Sequence, residues 1–460
     1  MSSTELLRRE WTAFRTPGRL IALAVAALSV AALGLLFAGG TSSGVSDTFW
    51  FRHQDLGRDG SITVRMTSMT GTITYPPPGH DQIVAGLVPW AKAGIIVKDG
   101  LRQGSRYAAL AMTGDHGVRF QHDYVHDVAG SAGQAPRWLR LTRSGDTITG
   151  SESADGEQWH VVGTAELTGL PETVQVGLFA TSPGDLTLRE TALGGTIEEV
   201  RFTQAVGVFD NVTVQGGTGS WGSESVGEMN HTDWEKLHNA SGVVEKDGVV
   251  TVSGTGDIGP IGEGGVRGVE KALAGLVIAL LIVLVVAARY GARDASSRPV
   301  TVVRAAVVGA ATFVTGLLAV APLLPGVRVV VGVAAVLALC AILSYGLGVW
   351  LRRGWAAILV GLTLVAVPYA VTAVPLLPDA VADWLLRLTP AAAFAVTQTA
   401  VEYPQVTTHY APSAGYFPLP GWAGFVVLCA YTALVLWLAS SGSRGSATRP
   451  LREPLPGSSG

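Results

Sequence analysis

LIALAVAALSVAALGLLFA, Leu20 to Ala38, contains no charged residue, and directly after it the chain turns water-soluble from Gly40 to Val269. Beyond Val269 the apolar character returns in Ala272–Ala288, Thr301–Leu324, Val329–Leu351, Trp355–Val374 and Trp422–Leu438. Each run approximates the roughly 17–25 apolar residues needed to cross a hydrocarbon core of about 30 Å. The pattern predicts a membrane all-α bundle of six helices with one large all-β domain inserted after the first. The expected division is 1–40 for an amphipathic leader and first span, 41–217 for an extracellular β-sandwich and 218–271 for a Gly-rich β extension or stalk. Residues 272–440 then form five spans, and 441–460 form a disordered cytoplasmic tail.

Composition fits a membrane protein. With 48% hydrophobic and 15% charged residues and a mean hydropathy of +0.37, the chain is too apolar for an ordinary soluble protein. A net charge of −3 leaves no basic face able to neutralise several phosphates, which argues against a nucleic-acid partner. Both cysteines, Cys340 and Cys429, fall inside predicted spans. The inserted domain therefore has no disulfide and must rely on its own core.

Arginines orient the spans, because Lys and Arg in short loops stay cytoplasmic. Arg8, Arg9, Arg15 and Arg19 precede the first span. Alternate threading makes Arg289–Arg304, Arg352 with Arg353, and the tail with Arg444, Arg449 and Arg452 the other cytoplasmic segments. The short outer connections hold Arg328 and Arg387 against Asp379, Asp383 and Glu402. The chain is thus expected in the plasma membrane, multi-pass, with both termini cytoplasmic and residues 41–271 outside. A cleaved signal peptide is the alternative for the first span, yet its apolar run exceeds the usual h-region of roughly 7–15 residues. Ahead of it, Leu7, Trp11 and Phe14 recur at helical spacing with charges on the other faces, and Ser2 with Glu5 fits a capping box. That predicts an amphipathic helix on the inner membrane surface.

The domain alternates apolar with polar residues in Ser61–Met66, Ala93–Lys98, Trp138–Arg143 and Val174–Phe179, with turn signals at Arg58-Asp59-Gly60, Ser144-Gly145-Asp146 and Ala154-Asp155-Gly156. Such alternation predicts an antiparallel sandwich. The succession Trp90-Ala-Lys-Ala-Gly-Ile-Ile-Val-Lys-Asp, Ser105-Arg-Tyr, Arg137-Trp-Leu-Arg-Leu-Thr-Arg-Ser-Gly-Asp and Ala154-Asp-Gly-Glu-Gln-Trp resembles a concanavalin/laminin-G-like jelly roll over Asp47 to Val214. Such sandwiches often bind sugars, which makes Trp90, Tyr107, Tyr124, Trp138 and Trp159 candidate stacking faces for an envelope glycan; core packing is the competing reading for each. No strand places the two carboxylates that a retaining glycosidase needs. His116, His122 and His126 match no strong metal-ligand spacing, so no metal is expected.

The apolar half carries a second resemblance. Val283-Leu-Val-Val-Ala-Ala-Arg-Tyr-Gly-Ala-Arg-Asp-Ala-Ser-Ser-Arg-Pro is similar to the cytoplasmic turn of type-2 ABC exporter permeases. Trp384-Leu-Leu-Arg-Leu-Thr-Pro, Glu402-Tyr-Pro-Gln-Val and Gly415-Tyr-Phe-Pro-Leu-Pro-Gly-Trp resemble the last outer segment of actinobacterial members, and Arg9-Glu-Trp-Thr-Ala-Phe-Arg-Thr resembles their amphipathic leader. The resemblance implies a permease subunit that is not itself an enzyme, paired with a second permease and docked on a separate ATPase. Leu7, Trp11, Phe14, Arg289, Tyr290, Arg293, Asp294 and Arg298 are the residues it places at that contact. Family members commonly carry a Glu-Tyr-Arg type sequence where Tyr290 here is flanked by Arg289 and Gly291. No Gly-x-x-x-x-Gly-Lys-Ser/Thr loop occurs, so ATP is expected on the partner and no cofactor on this chain. A membrane-anchored glycan-binding or sensory protein is the alternative function.

Overall fold

The computed structural model describes residues 3–37, 45–75, 82–227, 240–261, 269, 272–294, 298–324, 326–398 and 401–441. Ser2 of the capping box, the Gly-rich run 262–268, Ser296 and Ser297, and the arginines of the tail lie outside them.

The helices are α1 (Ser3–Phe14), α2 (Pro17–Phe37), α3 (Leu276–Gly291), α4 (Arg298–Val320), α5 (Val327–Leu351), α6 (Gly354–Thr372), α7 (Asp379–Leu388) and α8 (Gly421–Ser441). Among the described residues, α2, α4, α5, α6 and α8 are long and apolar enough to cross a membrane. The second expected span departs from this: α3 has 16 residues, about 24 Å at 1.5 Å per residue. Residues 273–275 ahead of it form a turn, which shortens the regular helix.

Buried residues of α3 and α5, including Leu280, Leu284, Val336, Leu337 and Leu343, form the centre of the bundle. Small residues bring these helices together: a Cβ at Gly348 would lie 2.4 Å from the Ala288 carbonyl oxygen, the close approach that membrane helices use in place of a hydrophobic drive. The outer faces stay apolar, with Leu28, Val314, Leu318, Leu359 and Val426 exposed. Trp350, Trp355 and Trp437 project near the arginine-rich end, and Trp384 and Trp422 near the other, matching aromatic belts at two interfaces. In α6 a π-helical turn, Leu362–Ala366, precedes Pro368. Proline has no N–H to give, and the widened turn absorbs that loss. The segment between Pro378 and Pro420 forms α7 and a buried 3₁₀ run, Pro390–Thr397.

The domain is a β-sandwich closed from one continuous 15-stranded antiparallel sheet, barrel-like rather than the two separate sheets of the expected jelly roll. The long strand Phe49–Thr74 causes this. Its first part pairs with Val174–Thr181, and from Asp59 it pairs with Arg137–Ser144. Arg58-Asp59-Gly60, read above as a turn, is the corner inside this strand where it changes partner. Gly60 is required there, because a Cβ would fall 2.4 Å from the Gln215 carbonyl oxygen. Ile95, Leu110 and Leu178 from one half meet Ile62, Val64, Leu139 and Leu141 from the other in the core.

Gly222–Val226, Gly242–Lys246 and Val249–Gly254 join this sheet and Ile258–Pro260 forms a separate two-stranded one with Val45–Asp47, so these strands extend the domain and are not a stalk. Gly222–Val226 pairs with the start of the long strand, Val249–Gly254 pairs with Thr196–Gly217, and Val45–Asp47 pairs with Ile258–Pro260. The domain also rests on the bundle. Thr196 Oγ1 donates to Asp379 Oδ2 at 3.1 Å, the His409 amide donates to Glu198 at 3.1 Å, and Gln405 Nε2 donates to the Val125 carbonyl at 3.2 Å.

The arginine distribution predicts the domain outside. In a variant with Cys340 and Cys429 replaced by alanine, an impermeant thiol reagent on intact cells should label Glu157→Cys and leave Arg353→Cys unlabelled. Both positions are exposed, so labelling of Arg353→Cys would reverse the orientation.

Candidate functional site

At the arginine-rich end α1 stops at Phe14 and α2 restarts at Pro17, whose fixed φ suits a first helical turn. Arg19 spans this break. Its Nη1 donates to the Ala13 and Phe14 carbonyls at 3.0 Å each, covering orphan acceptors at the end of α1. Its guanidinium lies 4.3 Å from the Tyr290 ring centroid. Phe14, fully buried, meets the same ring edge-on at 5.4 Å and 74°.

A second tie joins four helices. Arg304 of α4 donates from Nε to Glu10 of α1 and from Nη1 to Asp294 just beyond α3, both at 2.6 Å. The Tyr345 hydroxyl of α5 donates to the other Asp294 oxygen. Glu10 and Asp294 are buried. One guanidinium and one hydroxyl satisfy both carboxylates, the arrangement that offsets the desolvation of buried charge.

The expected contact residues separate accordingly. Leu7 and Trp11 are 52% and 40% exposed and form the outward face of α1, while Phe14, Tyr290 and Asp294 are buried inside the joint. Arg289 and Arg293 are exposed and line a cavity beside it. Arg298 opens α4, and its side chain lies outside the described residues. Sequence reading did not place Glu10, Arg19, Arg304 or Tyr345 at this contact. Arg304 had a visible signal, a charge inside an expected span, which is costly unless paired.

In the domain the five aromatics do not form one surface. Tyr107 and Tyr124 are core residues, contrary to a stacking role. Lys98 Nζ sits 2.7 Å from Asp47 Oδ2, 2.9 Å from the Ser105 carbonyl and 3.1 Å from the Tyr124 hydroxyl, which itself donates to Asp47 at 2.7 Å. The Tyr107 hydroxyl is buried with no hydrogen-bond partner. Burial pushes the Lys98 ammonium below its ordinary pKa against the pull of Asp47. Burial, then the charges of Asp257 and Asp47, hold the Tyr107 phenol well above its own. Burial, then the Asp47 charge, raises Tyr124 likewise. This cluster fastens Val45–Asp47 and the 101–106 loop across the sheet.

Trp90, 6% exposed, packs against His116 at 4.0 Å, which separates that histidine from the stacked pair His122 and His126. Among the described residues no three metal-ligating side chains converge. Trp138, on the strand Arg137–Ser144, and Trp159 remain partly exposed, and the Trp138 ring lies against Gly156 of the turn that leads to Trp159. Trp159 donates to the Gly156 carbonyl at 3.1 Å, and the Arg140 guanidinium lies 3.7 Å over its ring. Asp155 fixes the turn by accepting from the Gln158 and Glu157 amides and from Ser153, which holds its carboxyl down at about 2.

No protein-family model matches the chain, and no curated protein does. Among solved structures it is similar to a mutant of the GH43 protein BlXynB from Bacillus licheniformis at 17% identity, over 27% of this chain and 24% of that one, with a TM-score of 0.19. A functionally unknown protein from Saccharomyces cerevisiae is similar at 17% identity over 37% of this chain and 74% of that one, TM-score 0.19. SCP-B, a member of the Eqolisin family of peptidases, is similar at 8% identity over 46% of this chain and 98% of that one, TM-score 0.27. The chain spans about a quarter of the GH43 protein. Scores this low carry no functional argument.

The buried cluster sets opposite expectations for two tyrosines, read in urea melts of the 45–261 segment. Tyr124→Phe should cost about 1.5–3 kcal/mol, because its hydroxyl serves a carboxylate, whereas Tyr107→Phe should be neutral or stabilising, since it deletes an unmet hydroxyl. Lys98→Met leaves Asp47 buried and unpaired and should cost about 3–5 kcal/mol. Above pH ~10 unfolded tyrosines ionise while Tyr107 and Tyr124 keep their protons. The folded state then binds more protons, so stability should fall as pH rises past about 10, less steeply in Tyr107→Phe.

Proposed function

We propose that this chain is the permease subunit of an ATP-driven exporter, with its ATPase on a separate polypeptide that docks at the arginine-rich end. The observation that carries this reading is the joint made by Glu10, Arg304, Asp294 and Tyr345, which ties the surface helix α1 to α3, α4 and α5. Leu7 and Trp11 stay exposed on that helix, so a partner pressing there would move three helices together. The lack of any phosphate-binding loop supports placing ATP on the partner, and the apolar outer faces support a bilayer as solvent. In this reading the inserted domain is an extracellular, concanavalin-like head, and two permease copies complete the path.

A glycan-binding anchor is the second reading, favoured by the half-exposed pair Trp138 and Trp159 with Arg140 stacked between protein and solvent. The two readings part on one measurement, copurification of a Walker-motif ATPase with the wild-type chain from its own cells. Given such a partner, Leu7→Ala with Trp11→Ala should lower association at least tenfold, since an exposed aromatic anchor carries about 2 kcal/mol or more at an interface. Glu10→Gln should retain the ATPase but weaken substrate-stimulated hydrolysis, because it loosens the joint without touching the outward face. An ATPase that binds both variants as it binds the wild type, with full coupling, removes the proposal; absence of any ATPase leaves the anchor reading, to be checked by loss of glycan binding in Trp159→Ala.

A further inference from the structure

Beside the joint, α2 and α3 border an open cavity of about 570 Å³, within the range that holds a small ligand. Its chemistry is graded. Leu281, Val285, Arg289 and Arg293 all line it, and their spacing of four puts them on one face of α3 and its extension, apolar in the span and cationic at the end. Arg19 faces them from α2, so three guanidiniums surround one mouth.

Among the described residues no carboxylate lines this cavity. The two nearest in the joint, Glu10 and Asp294, are both taken by Arg304. Arg289 and Arg293 make no hydrogen bond or ion pair with any described residue, and Arg293 repels Arg19. Tyr290 lines the same cavity at 8% exposure, and its hydroxyl is buried with no hydrogen-bond partner. Clustered positive charge costs free energy unless an anion answers it. What matches both the arginines and the apolar wall is an anion that carries an apolar tail.

We infer that the cavity is a binding site for an acidic phospholipid. The phosphate sits among Arg19, Arg289 and Arg293, where guanidinium forks match its oxygens, and the upper acyl chains lie along Leu281, Ile282 and Val285. Free phosphate shares the charge but gains nothing from that apolar wall. A zwitterionic phospholipid has the tail but sets a choline beside three arginines. The inference requires that α2 and α3 lie in a bilayer and is independent of any ATPase.

The full chain, delipidated in neutral detergent, would be titrated with phosphatidylglycerol, phosphatidylcholine and inorganic phosphate while its melting temperature and retained lipid are followed by native mass spectrometry. Phosphatidylglycerol should bind saturably at one molecule per chain and raise the melting temperature, with phosphatidylcholine far weaker and phosphate unable to displace it. Arg289→Gln with Arg293→Gln should weaken phosphatidylglycerol about thirtyfold, the ratio expected for two basic residues at about 1 kcal/mol each near acidic lipid. Arg9→Gln with Arg353→Gln removes the same charge from exposed positions elsewhere at this end and should leave the affinity unchanged; equal losses in the two double variants would make the effect one of general surface charge and overturn the site. Displacement by phosphate would overturn it in favour of a free-anion pocket. A dimer that retains no lipid would overturn it in favour of a second copy covering this face. Far-UV circular dichroism of each variant separates loss of the site from loss of the fold.

Discussion

Arg304 is held between two buried carboxylates, and most of the arginine-rich end depends on that. Removing either carboxylate would leave less to hold α1 on the bundle, and removing the guanidinium would strand two negative charges where water is scarce. Because Asp294 lies just beyond α3 and Glu10 lies on α1, the same cation fixes α1 against α4 and the end of α3. Arg19 and Phe14 then complete the corner, and the cavity beside Tyr290 exists because the corner is held open rather than collapsed.

A different constraint governs the inserted domain. One strand of 26 residues serves both halves of the sheet, so the halves cannot shift against each other without breaking its ladder. Glycine at the corner and a buried Lys98–Asp47 pair on the outer layer keep that single sheet folded over its core. The central strands Lys92–Lys98 and Tyr107–Thr113 are buried on both faces, which is why the lysines at the two ends of the first need carboxylates from Asp257 and Asp47.

Much of this was legible in the residues. Apolar runs and strand alternation depend on local periodicity, and four of the expected strands lie inside observed ones. The corner at Arg58-Asp59-Gly60 was misread because a turn and a strand bend ask for the same residues, a glycine with polar neighbours. After Thr218, Gly222–Val226 and Ile258–Pro260 pair with residues more than a hundred positions away, which no local pattern encodes, whereas Val249–Gly254 pairs with nearer strands. Tyr107 and Tyr124 looked like available rings because sequence gives aromatic character without burial. The joint was missed for the same reason: Glu10, Arg304 and Tyr345 are far apart in sequence, and only packing of the helices brings them together.

Val45 lies opposite Pro260 in the short strand pair that closes the domain. Chain therefore enters and leaves the sandwich through neighbouring strands, a few ångströms apart. Seen from the bundle, some 200 residues occupy the footprint of a tight loop between α2 and α3, so the separation of those two helices need not know what is inserted between them. The domain is in this sense a cassette: its two ends lie side by side at Val45 and Pro260, and it is seated on the bundle through Asp379, Gln405 and His409.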